Sequence, residues 1–396
     1  REKGRLRVTK HVTVNGTASD SPLMNGTYTF DITGTGDDPR TKGENHVVTI
    51  TITDGQVTAG TIDGKTVTLE DDGTVKWVEL TDLPTGTYEV EEDTTGLAER
   101  GITLSTNNPQ PVTIVPYDNT VSTISTSIFT NNRGAGSMKI SKTVTLIGNI
   151  EDTATHYGQE FTFNISLTEQ DGTTPVSGTC ATTVETYNIQ DGSTSSADGQ
   201  ITFTAGKAQI KLKHKCYVTI TGIPLKTKYT VTEVNDSTYA KTKPAGAASG
   251  TISATPVQEA FVNSYNLQGT SITLGGTKFI DGTDSTNQQF TFELYQTDNS
   301  EYNISGEPPL ATFTEGEITR DTGKPFSFAP IEYKTDTDAG KTYYYVIKEQ
   351  ALTGEAQGAW TLTGVNEYHV EVLVTIEHIS EGNDKLKAEI KSNTNR

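Results

Sequence analysis

Apolar and polar residues alternate with a period of two along many short segments of this chain. Four segments show the pattern most clearly: residues 47–52, 161–167, 290–294 and 368–378. In the last of these, Tyr368, Val370 and Val372 fall on one face of an extended strand. This period is typical of half-buried β-strands, and the Asp-Gly pairs between such segments indicate tight turns. Helical periodicity never continues beyond two or three turns, so the pattern predicts an all-β fold.

Four sequence features recur in the same order, with a spacing of roughly 130 residues. They are a lysine just inside a strand, an aromatic-Thr-Phe strand, a Tyr-x-apolar-x-Glu strand and an aromatic-x-Asn ending. The residues concerned are Lys10, Glu92 and Asn131 in the first copy, Lys142, Glu233 and Asn263 in the second, and Lys278 and Glu349 in the third. The third copy has no aromatic-x-Asn. We therefore expect three tandem β-sandwich domains, at residues 1–133, 134–267 and 268–396, joined by linkers too short for free tumbling and arranged as an elongated rod.

Composition narrows the classes of function. Hydrophobic residues make up 32% of the 396 residues, which suits half-exposed strands, and the net charge of −19 argues against nucleic-acid binding. Apolar runs are too short to span a membrane, and the first residues lack the apolar core of a signal peptide, so we expect a processed or trimmed ectodomain. The six histidines have no metal-ligand spacing, and we expect neither a metal nor a cofactor.

The recurring lysine, glutamate and asparagine can react with one another when they are buried together. Burial favours the neutral amine of a lysine, and it also favours a protonated glutamate that hydrogen-bonds the oxygen of the asparagine amide. The amine can then attack the amide carbon and release ammonia, which leaves an amide cross-link. The alternative is that these are solvated strand residues and a turn asparagine. Their recurrence in matched strands favours the cross-link for the first two copies.

These motifs together resemble the CnaB-type and streptococcal pilin isopeptide-linkage domains of Gram-positive surface proteins. The resemblance implies sandwiches of immunoglobulin-like or transthyretin-like topology, spontaneous Lys–Asn bonds, and a secreted protein that sortase attaches to pili or to the cell wall. Carried over by position, it implies the bonds Lys10–Asn131 and Lys142–Asn263, assisted by Glu92 and Glu233. The LPXTG-like sorting signal and the Tyr-Pro-Lys pilin motif of such proteins are both absent from the sequence.

The third copy leaves two alternatives. Either Asn393 or Asn395 reacts with Lys278 at an altered spacing, or the closing strand is missing from this chain; we favour the second. A missing strand would leave an exposed sheet edge, open to a strand from a neighbouring subunit or produced by trimming.

Two cysteines, Cys180 and Cys216, lie in the second predicted domain. A disulfide between them would close 36 residues and stabilise the domain by roughly 3 to 4 kcal/mol. Two buried thiols are an equal alternative.

The sequence as a whole predicts an extracellular structural protein, a shaft subunit of a pilus or a protein anchored to the cell wall. Its partners would be neighbouring pilin subunits, joined covalently by sortase. The alternative is an adhesin that binds a host protein or glycan. We do not expect an enzyme, because the only chemistry predicted is one autocatalytic bond per site.

Overall fold

A computed structural model describes residues 2–18, 22–35, 38–120, 123–298 and 300–395, with the backbone alone described at residues 22, 315 and 395. Strands dominate these ranges, and the α-helices among them are α1 (Thr153–Gly158) and α2 (Glu355–Ala359). The all-β prediction is confirmed. None of the helices in the described residues is long and apolar enough to cross a membrane.

The bounds of the strands follow in chain order. From residue 3 to 133 they are β1 (Lys3–Val14), β2 (Thr17–Ala18), β3 (Gly26–Gly34), β4 (Asn45–Thr53), β5 (Gln56–Ile62), β6 (Lys65–Thr66), β7 (Glu70–Asp71), β8 (Lys76–Pro84), β9 (Gly86–Glu92), β10 (Ile102–Leu104), β11 (Gln110–Ile114) and β12 (Ile124–Arg133). From residue 135 to 268 they are β13 (Ala135–Ile147), β14 (Phe161–Thr168), β15 (Gly178–Tyr187), β16 (Thr194–Phe203), β17 (Lys207–Leu212), β18 (Tyr217–Pro224), β19 (Lys228–Glu233), β20 (Ala240–Lys243), β21 (Ala248–Thr251) and β22 (Val257–Gln268). From residue 270 onward they are β23 (Thr270–Ile272), β24 (Gly275–Lys278), β25 (Ser285–Thr286), β26 (Phe290–Thr297), β27 (Ala311–Glu315), β28 (Ile318–Thr319), β29 (Lys324–Ser327), β30 (Ile331–Tyr333), β31 (Thr342–Glu349), β32 (Glu367–Ser380) and β33 (Asn383–Asn395).

The chain divides into two compact units. The first comprises Arg1–Thr143, Glu160–Val234 and Pro244–Phe261, and the second comprises Val144–Gln159, Asn235–Lys243 and Val262–Arg396. The division into three domains at residues 133 and 267 stays a prediction.

Residues 3–133 of the first unit form a sandwich of two sheets. One sheet has the order β10-β12-β1-β8-β7, and the other has the order β11-β9-β3-β4-β5-β6. Alternate residues of strands in both sheets point inward and form one core, which includes Val8, Phe30, Val90 and Phe129. The strand β1 is central to this arrangement, because it pairs antiparallel with β8 and in parallel with β12 over ten residues.

The rest of the first unit repeats this plan. The order β16-β15-β18-β13 forms one set of paired strands, and β17-β14-β19-β21 forms the other. Alternation again sets the inward face, since Phe161, Phe163, Ile165 and Leu167 of β14 are all buried. The first residues of β22 also belong to this unit, and β22 is the neighbour of β13.

The second unit contains the order β22-β33-β32-β31-β26-β27 and three two-stranded pairs, β23 with β30, β24 with β29 and β25 with β28. The predicted strand 368–378 is β32, and its residues Val370, Val372 and Val374 are buried as expected. Tyr368 and Ile376, on the same predicted face, are exposed. Residues 383–395 form a further strand, β33, which the sequence pattern did not predict.

Candidate functional sites: three lysine–glutamate pairs

Lys10, Glu92 and Asn131 meet inside the first sandwich. The amine Nζ of Lys10 lies 2.7 Å from both carboxylate oxygens of Glu92. The amide Nδ2 of Asn131 donates a hydrogen bond to Glu92 Oε1 at 2.6 Å. The three residues are at most 2% exposed. The structure therefore brings together the first three residues that the sequence singled out, and it removes them from water.

The strand registers explain why these side chains converge. Leu6, Val8, Lys10 and Val12 alternate along β1 and all point into the core. In the parallel pair of β1 and β12, Val12 lies opposite Asn131. This places the asparagine diagonally across from the lysine, on the same face.

Glu92 comes from the opposite sheet. It lies at the end of β9, opposite Phe30 of β3. The ring of Phe30 packs against that of Phe129 with 5.1 Å between centroids, and Lys10 Nζ lies 4.7 Å from the centroid of Tyr28. Aromatic side chains therefore enclose the charged groups and keep water away from them.

Burial changes the protonation of the lysine. Desolvation lowers the pKa of Lys10 to about 8, although the neighbouring carboxylate of Glu92 raises it in part. At that pKa about a tenth of the amine is neutral at pH 7, which is enough to act as a nucleophile.

Glu92 contacts the amide nitrogen of Asn131, whereas the sequence analysis expected a contact with the amide oxygen. The oxygen Oδ1 of Asn131 is buried without a hydrogen-bond partner. A carboxylate that touches both nitrogens can accept a proton from the amine and deliver one to the departing amide nitrogen.

The second site repeats the lysine–glutamate contact. Lys142 Nζ lies 3.1 and 2.9 Å from the two carboxylate oxygens of Glu233, and both residues are at most 3% exposed. Glu233 lies opposite Phe163 of β14, as Glu92 lies opposite Phe30. Asn263 is 1% exposed and lies in β22, two residues after Phe261, whose ring packs on Phe163.

The third site is built differently. Lys278 Nζ lies 2.6 Å from Glu349 Oε1, but these side chains are 13% and 14% exposed. Glu349 again lies opposite the phenylalanine of the aromatic-Thr-Phe strand, here Phe292. The lysine strand β24 has only four residues, whereas β1 has 12, and among the described residues β24 pairs with β29 alone.

A cavity of about 750 Å³ lies beside this third pair. Its lining includes Lys278, Glu349 and Asn393 together with apolar side chains such as Trp360. Asn393 is an exposed residue of β33, opposite Val370 of β32. The side chain of Asn395, the other predicted partner, lies outside the described part of the structure.

Of the two alternatives for the cysteines, the structure has two buried thiols and no disulfide between them. Cys180 and Cys216 are both free and buried. In the antiparallel pair of β15 and β18, Ala181 lies opposite Thr221 and Glu185 lies opposite Tyr217, so the two cysteines lie toward opposite ends of the paired region. Several residues at about 3.3 Å each separate them, beyond the Cα distance of about 7 Å that a disulfide can bridge.

Arg133 is a buried charge that the sequence analysis missed. Its guanidinium lies 2.9 Å from each carboxylate oxygen of Glu169, and it also donates to the backbone oxygens of Leu225 and Leu23. The side chain is fully buried. The residue follows Asn131 by two positions in β12, in a segment that the sequence indicates only as a short linker.

Known domain families match three successive segments of the chain. Residues 6–132 match a domain of unknown function, DUF5979, and residues 136–265 match another, DUF7601. Residues 274–396 match the Spy0128-like isopeptide containing domain, FctA. The C-terminal segment is therefore similar in sequence to this family. This confirms the predicted resemblance to streptococcal pilin isopeptide domains. The matched segment contains Lys278, Glu349 and Asn393.

Solved structures similar to this chain include proteins of two organisms. The major pilin from Streptococcus pyogenes is 15% identical, with 66% of this chain and 99% of the pilin covered and a TM-score of 0.39. The major pilin T-13 from S. pyogenes is 16% identical, with 67% and 97% covered and a TM-score of 0.35. The Bacillus anthracis TIE protein is 14% identical, with 97% and 50% covered and a TM-score of 0.28. No curated protein sequence matches the chain.

Proposed function

We propose that this chain is a shaft subunit of a bacterial pilus whose domains are locked by internal amide bonds between lysine and asparagine. The observation that carries the proposal is the buried contact of Glu92 with both Lys10 and Asn131. Exposed ion pairs stabilise proteins little. Burial of an ion pair costs desolvation free energy, which the attraction between the charges offsets only when their geometry is very good. Formation of an amide would convert the buried amine of Lys10 into a neutral group.

The reaction at the first site uses groups already in contact. Neutral Lys10 Nζ attacks Cγ of Asn131, and the carboxylate of Glu92 accepts a proton from the nitrogen. Glu92 then delivers a proton to Nδ2, the Cγ–Nδ2 bond breaks and ammonia leaves. One Nζ–Cγ bond forms, one Cγ–Nδ2 bond breaks, and the carboxylate ends as it began.

Strand order gives this bond a mechanical role. Lys10 and Asn131 lie on β1 and β12, which are parallel neighbours in the first sandwich. Tension on the two ends of the domain would otherwise separate these strands. A covalent bond between them would carry that tension in place of the hydrogen bonds of the sheet.

The same chemistry extends to the second and third sites. The contact of Lys142 with Glu233 and the burial of Asn263 support a bond between Lys142 and Asn263. For the third site we propose Asn393 in preference to Asn395, because Asn393 lines the cavity that Lys278 and Glu349 also line.

We further infer that the chain is extracellular, and that sortase joins it to neighbouring pilin subunits or to the cell wall. The family match at residues 274–396 and the motifs that resemble Gram-positive surface proteins support this inference. The three segments that match separate families also support domain boundaries near residues 133 and 267.

Intact-mass spectrometry of the denatured, reduced protein tests the proposal. Each amide bond lowers the mass by that of one ammonia, and peptide mapping then locates the bond. We expect losses at Lys10–Asn131 and Lys142–Asn263, and a third loss where Lys278 has joined Asn393. A protein with the full calculated mass would overturn the proposal, and the triads would then be unreacted ion pairs.

A further inference from the structure

We propose that Asn108 is a positioning residue for Glu92 and so for formation of the first cross-link. This inference rests on the proposed function, since it concerns the rate of the Lys10–Asn131 bond. The side chain of Asn108 binds both backbone hydrogen-bonding groups of Glu92. The N–H of Glu92 donates to Asn108 Oδ1 at 2.8 Å, and Asn108 Nδ2 donates to the carbonyl oxygen of Glu92 at 2.9 Å.

The register of the sheet explains why a side chain is needed there. In the antiparallel pair of β9 and β11, Val90 lies opposite Gln110 and Glu89 lies opposite Pro111. The same register places residue 108 opposite Glu92, beyond the end of β11. Two residues that form a hydrogen-bonded pair in such a ladder exchange one N–H and one C=O each. The amide of Asn108 supplies the same donor and acceptor from its side chain, and so it extends the ladder by one position.

The position of the Glu92 backbone controls the chemistry of its carboxylate. The carboxylate must contact Lys10 Nζ and Asn131 Nδ2 at the same time, at 2.7 and 2.6 Å. Glu92 is the last residue of β9, where a strand otherwise loses its partners. Misplacement of a catalytic group by about 1 Å can cost a hundredfold in rate. A side chain that holds this strand end in register therefore bears directly on the reaction.

In the other two domains, a different group lies opposite the glutamate at the position that corresponds to Asn108. In the second, the register of β19 and β21 places Gly246 opposite Glu233, and glycine has no side chain for this role. In the third, the N–H of Glu349 donates to the backbone oxygen of Asn366 at 2.9 Å, so the main chain itself continues the ladder. Asn108 contacts the glutamate of the first site, and the second site of the same molecule therefore serves as an internal control.

The experiment compares Asn108→Ala with Asn107→Ala and the unchanged chain. Asn107 is the adjacent exposed asparagine and controls for any effect of altering this loop. Each full chain is made by cell-free synthesis, quenched in denaturant at intervals, and mapped for the two cross-links. We expect Asn108→Ala to slow the Lys10–Asn131 bond about tenfold while the Lys142–Asn263 bond keeps its rate, and Asn107→Ala to change neither.

Two further measurements separate positioning from folding. With Asn131→Ala added to prevent the bond, denaturant unfolding shows whether the first domain of the Asn108→Ala chain is folded under the assay conditions. Where it is not, Asn108→Asp replaces it, because this variant keeps an acceptor for the Glu92 N–H while a charged carboxylate oxygen replaces the donor. A slower first bond in a folded domain supports the inference. An unchanged rate, equal slowing of both bonds, or equal slowing by Asn107→Ala would overturn it. Absence of the first bond in the unchanged chain would instead refute the proposed function.

Discussion

Replacement of Asn131 by alanine should remove the first cross-link and lower the stability of the first domain by a measurable amount. The variant keeps the buried contact between Lys10 and Glu92, because only the amide that accepts the attack is removed. The second site lies elsewhere in the chain and should still react. The change therefore isolates one covalent bond against an otherwise intact protein.

The size of the effect follows from the length of chain that the bond closes. Lys10 and Asn131 are 121 positions apart, and the chain-entropy model for a cross-link of that span gives about 5 kcal/mol. For a domain of this size, 5 kcal/mol corresponds to a fall in Tm of roughly 15–25 °C.

Differential scanning calorimetry of the full chain and the variant provides the assay. We expect one transition to move down by that amount while the others stay in place. Mass spectrometry of the same samples reports whether one ammonia fewer has been lost. A variant that loses one cross-link yet keeps every transition within a few degrees would refute the entropic reasoning. A variant that loses no cross-link would refute the assignment of Asn131.

Three other changes test separate parts of the structure. The rate of the first bond should rise with pH up to about 8 and then level off, because burial lowers the pKa of Lys10 to about 8 and only the neutral amine attacks. Samples quenched at intervals and mapped for the bond would measure this rate at each pH. A rate that falls as the pH rises to 8 would contradict the prediction. Arg133→Ala should lower the free energy of unfolding by about 2 to 4 kcal/mol, because it leaves Glu169 and two carbonyls without their buried partner. Urea denaturation would measure the change, with Arg133→Lys as the control. A lysine that restores full stability would show that charge alone matters. Asn393→Ala should abolish any cross-link of Lys278 while Asn395→Ala leaves it, as peptide mapping would show, and the reverse result would move the site to Asn395.

Much of the first two sites could be predicted because it follows from local periodicity. The inward direction of Lys10 and Lys142 follows from the alternation of apolar residues on their own strands. The aromatic-Thr-Phe and glutamate strands were expected as separate repeats. In all three copies they prove to be paired neighbours, with the glutamate opposite the second aromatic residue.

The features that the sequence did not predict depend on contacts between distant residues. The sequence left a disulfide and two buried thiols as equal alternatives. Only the register of β15 and β18 shows that the two thiols are far apart. In the sequence, Arg133 is an ordinary residue of a short linker. Its contacts with Glu169 and Leu225 appear only in the fold. β33 was not predicted, although Leu386, Ala388 and Ile390 alternate with charged residues within it.

The parallel pairing of β1 with β12 also determines how much the first domain could lengthen under tension. A bond from Lys10 to Asn131 would place the 120 residues between them on a side branch, outside the path that carries the load. Fully extended, that stretch of chain would span roughly 400 Å. While the bond holds, this stretch of chain could not extend under tension. Only the few residues before Lys10 and after Asn131 could be stretched. A filament built from such domains would keep its length while its bonds hold, and a pulling force would reach the next subunit without being absorbed by unfolding.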